Sequence, residues 1–108
     1  MRYSIIWTDD AFADLKDIAQ QIKQQFGAGT ARKVVTEIRQ RIDLLKTTPQ
    51  LGTKHHIKDS DTEYYVLHSK KNRIFYDISD NIIYIDAVWD NRRDDRHINI
   101  MLTQRNNK

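Results

Sequence analysis

Arg73, Arg92, Arg93 and Arg96 are the residues of this chain best suited to chemistry, and His97 directly follows the last of them. A guanidinium is a planar fork of donors that holds phosphate or carboxylate oxygens in pairs. Cutting RNA at a 2′-hydroxyl demands more: a group to take that proton, a group to protonate the leaving oxygen, and cations to hold the phosphate. The arginines supply only the cations. His97 is the candidate for proton transfer, since histidine titrates near neutrality; a merely exposed histidine after a charged turn is the alternative. The candidates for holding an anion or a target are Arg73, Arg92, Arg93 and Arg96. Each has a structural alternative. Arg73 sits in an apolar run, where it can pair with Asp77 or Asp86. Arg92, Arg93 and Arg96 can pair with Asp94 and Asp95, although three arginines against two aspartates leave one positive charge over.

Other residues are of types that could do the same work. His55 and His56 are adjacent, so their side chains diverge in an extended segment, and no carboxylate stands at ligand spacing around them. They read as solvated loop histidines, with a general-base role as the alternative, and neither a metal nor a cofactor is expected. Tyr64, Tyr65 and Tyr76 are most simply strand residues, although a hydroxyl near Arg93 would assist RNA chemistry. Trp89 is core or groove wall, with base stacking as the alternative. The chain has no cysteine, which excludes thiolate nucleophiles, disulfides and Cys-based zinc sites.

A β-hairpin must deliver the arginines. Residues 73–78 and 82–89 are apolar β-type runs on either side of Ser79-Asp80-Asn81, and residues 63–68 form a strand before them. The breaks at 69–71 and 79–81 are hairpin-sized, so the three strands form an antiparallel meander. In the last strand Ile82, Tyr84, Asp86 and Val88 point one way, and Ile83, Ile85, Ala87 and Trp89 the other. Such a strand is central, with helices on one face and a groove or partner on the other. Upstream, residues 3–7 alternate as a short opening strand. Thr8 or Asp9 suits a helix N-cap, and Phe12, Leu15, Ile18, Ala19, Ile22 and Phe26 make one apolar stripe. Gly27-Ala28-Gly29 ends that helix. Thr30 can cap a second, with Val34, Val35, Ile38, Ile42 and Leu45 as its stripe and Thr47-Thr48-Pro49 as its stop. Two amphipathic helices joined by so short a link form an antiparallel hairpin. A polar connection runs from Leu51-Gly52 through Asp61, and residues 99–108 are a short helix or arm that frays over 104–108. The order β-α-α-β-β-β predicts an α+β fold, a helical hairpin packed on one face of a small, mainly antiparallel sheet. Residues 1–103 should form a single domain, with a polar tail over 104–108.

Composition sets the frame. At 108 residues, 39% apolar and 31% charged, the chain reads as one globular domain and not as a disordered segment. Its net charge of +3 is unevenly spread. Residues 1–26 hold Arg2, Lys16 and Lys23 against Asp9, Asp10, Asp14 and Asp17. Residues 27–58 hold Arg32, Lys33, Arg39, Arg41, Lys46, Lys54 and Lys58 against only Glu37 and Asp43. A basic middle favours nucleic acid or an acidic protein partner; solvated helix faces are the alternative. The N-terminus does not read as a signal peptide, and no apolar run approaches the roughly 18 residues of a membrane helix. A soluble protein of a reducing cytosol is expected.

Several stretches carry a family resemblance. Trp7-Thr8-Asp9-Asp10-Ala11 opens a helix after a strand; Leu44-Leu45 is followed by Pro49, Leu51 and Gly52; Tyr64-Tyr65-Val66-Leu67 and Asn72-Arg73-Ile74-Phe75-Tyr76 are successive strands. Asp80, Ile82, Tyr84-Ile85, Val88-Trp89-Asp90 and Arg92-Arg93 form the last strand and its exit. In order and spacing, over residues 1–97, these resemble the RelE/ParE superfamily of bacterial toxin–antitoxin toxins.

The resemblance implies a protein that arrests growth, and serves plasmid stabilisation, until a cognate antitoxin wraps it. RelE-like members cut messenger RNA in the ribosomal A site, while ParE-like members poison DNA gyrase. The lysines that RelE-like nucleases place on the second strand would fall near Tyr64 and Val66, where this chain has none. The C-terminal Tyr or His-Tyr pair has only His97 and Asn99 as equivalents. Arg73 and Arg93 match the phosphate-holding arginines, so the resemblance implies Arg73, Arg93 and His97 as the candidate catalytic residues. The closer likeness is thus to the ParE-like branch: a growth inhibitor that binds its target, with gyrase or ribosome-bound message as that target. A metal-independent endoribonuclease and a non-toxic basic binding module are the alternatives. The antitoxin is expected on the sheet and basic groove by strand addition or helix docking, with Val88, Trp89, Ile98 and Met101 as contacts.

Overall fold

A computed structural model describes residues 2–57 and 62–106; the end of the polar connection and the last two residues of the tail lie outside the described residues. Strand β1 (Ser4–Trp7) leads into helix α1 (Asp9–Phe26). Thr8 is the cap between them. Its side chain accepts from the Ala11 N–H at 3.1 Å and donates to the Ile85 carbonyl at 2.9 Å, so one hydroxyl both starts the helix and ties it to the sheet. Asp9 and Asp10 in the first turn and Lys23 in the last suit the helix dipole.

Helix α2 (Ala28–Asp43) begins immediately after Gly27. The junction is therefore a single residue, not the three-residue link with a Thr30 cap expected from the sequence. Gly27 has φ 96°, a left-handed conformation that reverses the chain at one position and leaves Thr30 inside the helix. After a 3-10 turn (Leu44–Lys46) comes β2 (Thr53–His56), a strand within the segment read as loop. Thr-Lys-His-His carries no apolar alternation to announce it. Pairing with the edge of β3 (Glu63–Ser69) makes it a strand.

β3, β4 (Asn72–Ser79) and β5 (Ile82–Asp90) form the expected meander through two-residue turns, with Lys70 at φ 53° and Asp80 at φ 55°. The sheet order is β1-β5-β4-β3-β2; β1 runs parallel to β5 and every other pair is antiparallel. Strand, helical hairpin and meander build the α+β layer that the sequence predicts.

The hairpin α1–α2 buries Leu15, Ile18, Ile38 and Ile42 against Leu67, Ile74, Tyr76, Ile83, Ile85 and Val88. The opposite face carries a second core. There helix α3 (Ile98–Asn106) lays Ile98 and Leu102 on Val66, Phe75, Ala87 and Trp89. The helix continues through Gln104 and Arg105, past the point where fraying was expected.

A β-bulge links the two cores. Phe75 pairs with Ala87 and Tyr76 with Ile85, which leaves Asp86 without a partner opposite. The extra residue resets the alternation of β5. Val88 therefore joins Ile83 and Ile85 on the hairpin face, while Ala87 and Trp89 lie on the α3 face. The strict two-residue sorting made from sequence fails beyond Asp86 for this reason. Gly52 explains the Pro-x-x-Gly spacing: a Cβ there would lie 2.6 Å from the Val66 carbonyl oxygen. The Tyr76 hydroxyl accepts from Gly52 N–H at 3.0 Å and donates to the Pro49 carbonyl at 2.9 Å, fixing the turn to the sheet.

Candidate functional site

Counting outward from the Lys70-Lys71 turn pairs Ser69 with Asn72 and His68 with Arg73; Arg73 in turn pairs with Trp89. The row His68–Arg73–Trp89 crosses three strands on the α3 face. Arg73 is pinned in place, its Nε donating to Asn91 at 2.7 Å and one terminal nitrogen to Asp95 at 2.5 Å. Its partner is thus neither Asp77 nor Asp86, the carboxylates expected from sequence. His68 is exposed, with its carbonyl accepting from Arg41 Nε at 3.1 Å.

The arginine exit pairs largely with itself. Arg92 embraces Asp90 with three side-chain hydrogen bonds of 2.8 to 3.1 Å, and Arg96 embraces Asp94 with three of 2.6 to 3.1 Å. Burial opposes ionisation of Asp90, yet the hydrogen bonds from Arg92 outweigh it and hold the carboxyl below its usual range. The hydrogen bonds from Arg96 lower Asp94 in the same way. Arg93 is the exception. It makes no ion pair among the described residues, and its guanidinium lies 4.3 Å from the centre of the Trp89 ring. Trp89 is only 2% exposed, so it serves as the arginine's floor and offers no face to a base. His97 is exposed on the turn after Asp94.

His55 is not a free loop histidine. Its Nε2 lies 2.8 Å from Asn99 Oδ1, and its ring meets Phe75 edge-on at 5.5 Å, so it joins β2 to α3; His56 points away and is exposed. Tyr64 and Val66, where a RelE-like nuclease would carry lysines, are buried at 4% and 7% exposure under α3. Burial, reinforced by Asp86 and Asp77, pushes the Tyr64 hydroxyl up to about 12, so it stays protonated. Those two aspartates lie close enough to shift one another, and each buries one carboxyl oxygen that has no hydrogen-bond partner among the described residues. Burial first, then the neighbouring Asp77, pushes Asp86 up to about 8.

Val88, Trp89, Ile98 and Met101 were expected to lie exposed as antitoxin contacts, and the structure corrects their exposure. The first two and Ile98 are buried within the chain, and Met101 packs half-buried on the same cluster, because α3 folds back over the sheet. Two residues were missed. His68 was recoverable from hairpin register; Arg105 was not, because its partner Asp14 is 91 positions away.

Residues 5–95 match the family described as the ParE toxin of the type II toxin–antitoxin system, parDE. The chain belongs to this ParE toxin family. Among solved structures, this ParE-family toxin resembles a chain from the chromosomal ParDE toxin–antitoxin system of P. aeruginosa, with a TM-score of 0.69 at 20% identity over 82% of this chain and 96% of that one. It also resembles the YoeB dimer of Staphylococcus aureus, with a TM-score of 0.56 at 25% identity over 82% and 97%. No curated protein sequence matches it at a significant level. In this type II toxin Arg73, Arg92 and Arg96 are held by aspartates and Arg93 lies on Trp89, while Tyr64 and Val66 are buried in the core beneath α3.

Proposed function

We propose that this ParE-family toxin arrests growth by binding its target, DNA gyrase, without cutting a nucleic acid, and that a cognate antitoxin neutralises it in the cytoplasm. The observation that carries this reading is the split at the site. Arg93 is an unpaired cation on an aromatic floor, whereas Tyr64 and Val66 are buried and the exposed His97 ring has no hydrogen-bond partner among the described residues. A rigid guanidinium without a positioned base binds an acidic or phosphate surface and transfers no proton. Purified toxin at micromolar concentration should inhibit supercoiling by gyrase, and unchanged supercoiling would overturn the reading.

One observation favours a second reading, ribosome-dependent cleavage of messenger RNA. His68 stands beside Arg73 on the same sheet face, which sets a titratable group next to a phosphate-holding one. Primer extension on ribosome-bound message decides it: cuts in the A site that His68→Ala abolishes would support cleavage, and their absence removes it.

A further inference from the structure

Strand β1 ends the sheet and leaves one side of its backbone open. Toward β5, the Ser4 N–H donates to the Asn81 carbonyl at 2.9 Å and the Thr8 N–H to the Ile85 carbonyl at 3.1 Å. Alternate residues of a parallel pair face the neighbour, so the intervening Ile5 and Trp7 aim their N–H and C=O groups away from β5. On that side the Lys46 carbonyl accepts the Tyr3 N–H at 2.8 Å, while Ile5 and Trp7 have no backbone partner there among the described residues. Sheets blunt such edges with charge, proline or a bulge. The opposite edge, β2, carries Lys54 and two histidines, whereas Ser4-Ile5-Ile6-Trp7 carries no charge. Ile6 is 43% exposed on the face away from the helical hairpin, beside half-buried Tyr84 of β5. Charge gathers only at the ends of the strand. Arg2 precedes it and Asp9 follows it, both exposed and neither in an ion pair among the described residues.

We propose that this edge joins two copies of the chain, β1 against β1 of the second copy, antiparallel about a twofold axis. The axis passes between Ile6 and its counterpart. Ile5 then lies opposite Trp7 of the other copy, and the two residues exchange both of their N–H···O bonds. Ile6 faces Ile6 as a non-hydrogen-bonded pair, the arrangement in which opposed side chains approach most closely. The same register carries Arg2 of each copy toward Asp9 of the other. This self-complementarity selects the occupant, because a twofold contact must match a surface to itself. A strongly acidic or strongly basic segment of another protein would meet a like charge at one end of the edge. Pairing turns two five-stranded sheets into one continuous sheet. The β5 strands run through it in opposite directions, so the two Arg93 exits lie at opposite ends and both stay open. The inference stands whichever target the toxin has.

The test is the mass of the full, purified chain by sedimentation equilibrium across the micromolar range. The wild type should pass reversibly from monomer to dimer as concentration rises. Ile6→Lys sets two ammonium groups together at the axis and should weaken the dimer at least about tenfold, as a hot-spot substitution does. Its thermal unfolding as a monomer should match the wild type, because the side chain is exposed. Arg2→Glu should also weaken the dimer, and adding Asp9→Arg should restore it, a rescue that damage to the fold would not give. Amide hydrogen exchange needs no variant: Ile5 and Trp7 should be protected where the dimer forms and lose that protection on dilution. A chain that stays monomeric overturns the proposal. So does a dimer that Ile6→Lys leaves intact, or one in which Ile5 and Trp7 exchange freely. A monomer that binds the purified product of the adjacent reading frame, with Ile6→Lys abolishing that binding, would assign the edge to that protein and overturn the proposal as well.

Discussion

Arg105 on α3 grips Asp14 on α1 with two hydrogen bonds, of 2.7 and 2.9 Å, across the open edge of β5. β1 covers that edge only as far as Ile85. Beyond it, Arg105 donates to the Asp86 carbonyl at 3.0 Å, and Asp14 accepts the Val88 N–H at 3.0 Å. Two side chains thus satisfy backbone groups that a missing strand would otherwise take. Asp14→Ala strands the Val88 amide and leaves Arg105 with only the Asp86 carbonyl and a longer ion pair to Asp10 at 3.9 Å, so it should cost about 2–4 kcal/mol in urea unfolding. Arg105→Ala should cost less, because Asp14 keeps its backbone donor. A double-mutant cycle giving no coupling between the two would show the clamp to be idle.

Stability should depend on pH through Asp86. The unfolded carboxyl ionises near 3.8, and the folded one is held up to about 8, chiefly by burial and then by Asp77. Between those values the folded chain keeps a proton that the unfolded chain has lost, so stability falls as pH rises from about 4 to about 8. One proton sets a limiting slope of about 1.4 kcal/mol per pH unit. Asp86→Asn removes the titrating group and should flatten the profile. A slope unchanged in the variant would place the proton elsewhere.

Gly52→Ala should destabilise the fold by about 1–3 kcal/mol, since the new methyl overlaps a backbone oxygen that has no room to yield. Tyr76→Phe removes both hydrogen bonds at the same turn and should cost about 1–2 kcal/mol. Thermal unfolding of the two variants reads both effects.

Arg93→Ala should abolish growth inhibition while shifting stability by no more than about 1 kcal/mol, the scale of its contact with Trp89. Arg73→Ala should impair activity and stability together, because Arg73 also ties β4 to Asn91 and Asp95. Toxicity retained by Arg93→Ala would remove this residue from the target-binding site.

Leu102→Ala should cost about 2–4 kcal/mol, as a fully buried leucine does. The same substitution should leave the intrinsic affinity for the antitoxin unchanged once the folded fraction is accounted for. A selective loss of affinity in a chain that remains folded would return the α3 face to the partner.

Much of this architecture was legible because its signals are local. Helical stripes, the Thr8 cap, the Pro49 stop and the two polar breaks of the meander are each written within a few residues. β2 was not legible, since a polar edge strand has no period until a neighbour pairs with it. The bulge at Asp86 was equally hidden, and with it the true face of Val88.

By itself the sequence determined the α+β order, the helical hairpin, the family likeness and the cluster of arginines, because periodicity, caps and charge are properties of neighbouring positions. Only the tertiary structure decided that Arg93, among the arginines at the β5 exit, makes no ion pair among the described residues, that α3 covers the sheet face expected to be exposed, that burial raises Asp86 beside Asp77, and that Phe26 overhangs a basic-rimmed groove. Each of those depends on contacts between residues far apart in the chain, where burial and partner geometry outweigh residue type.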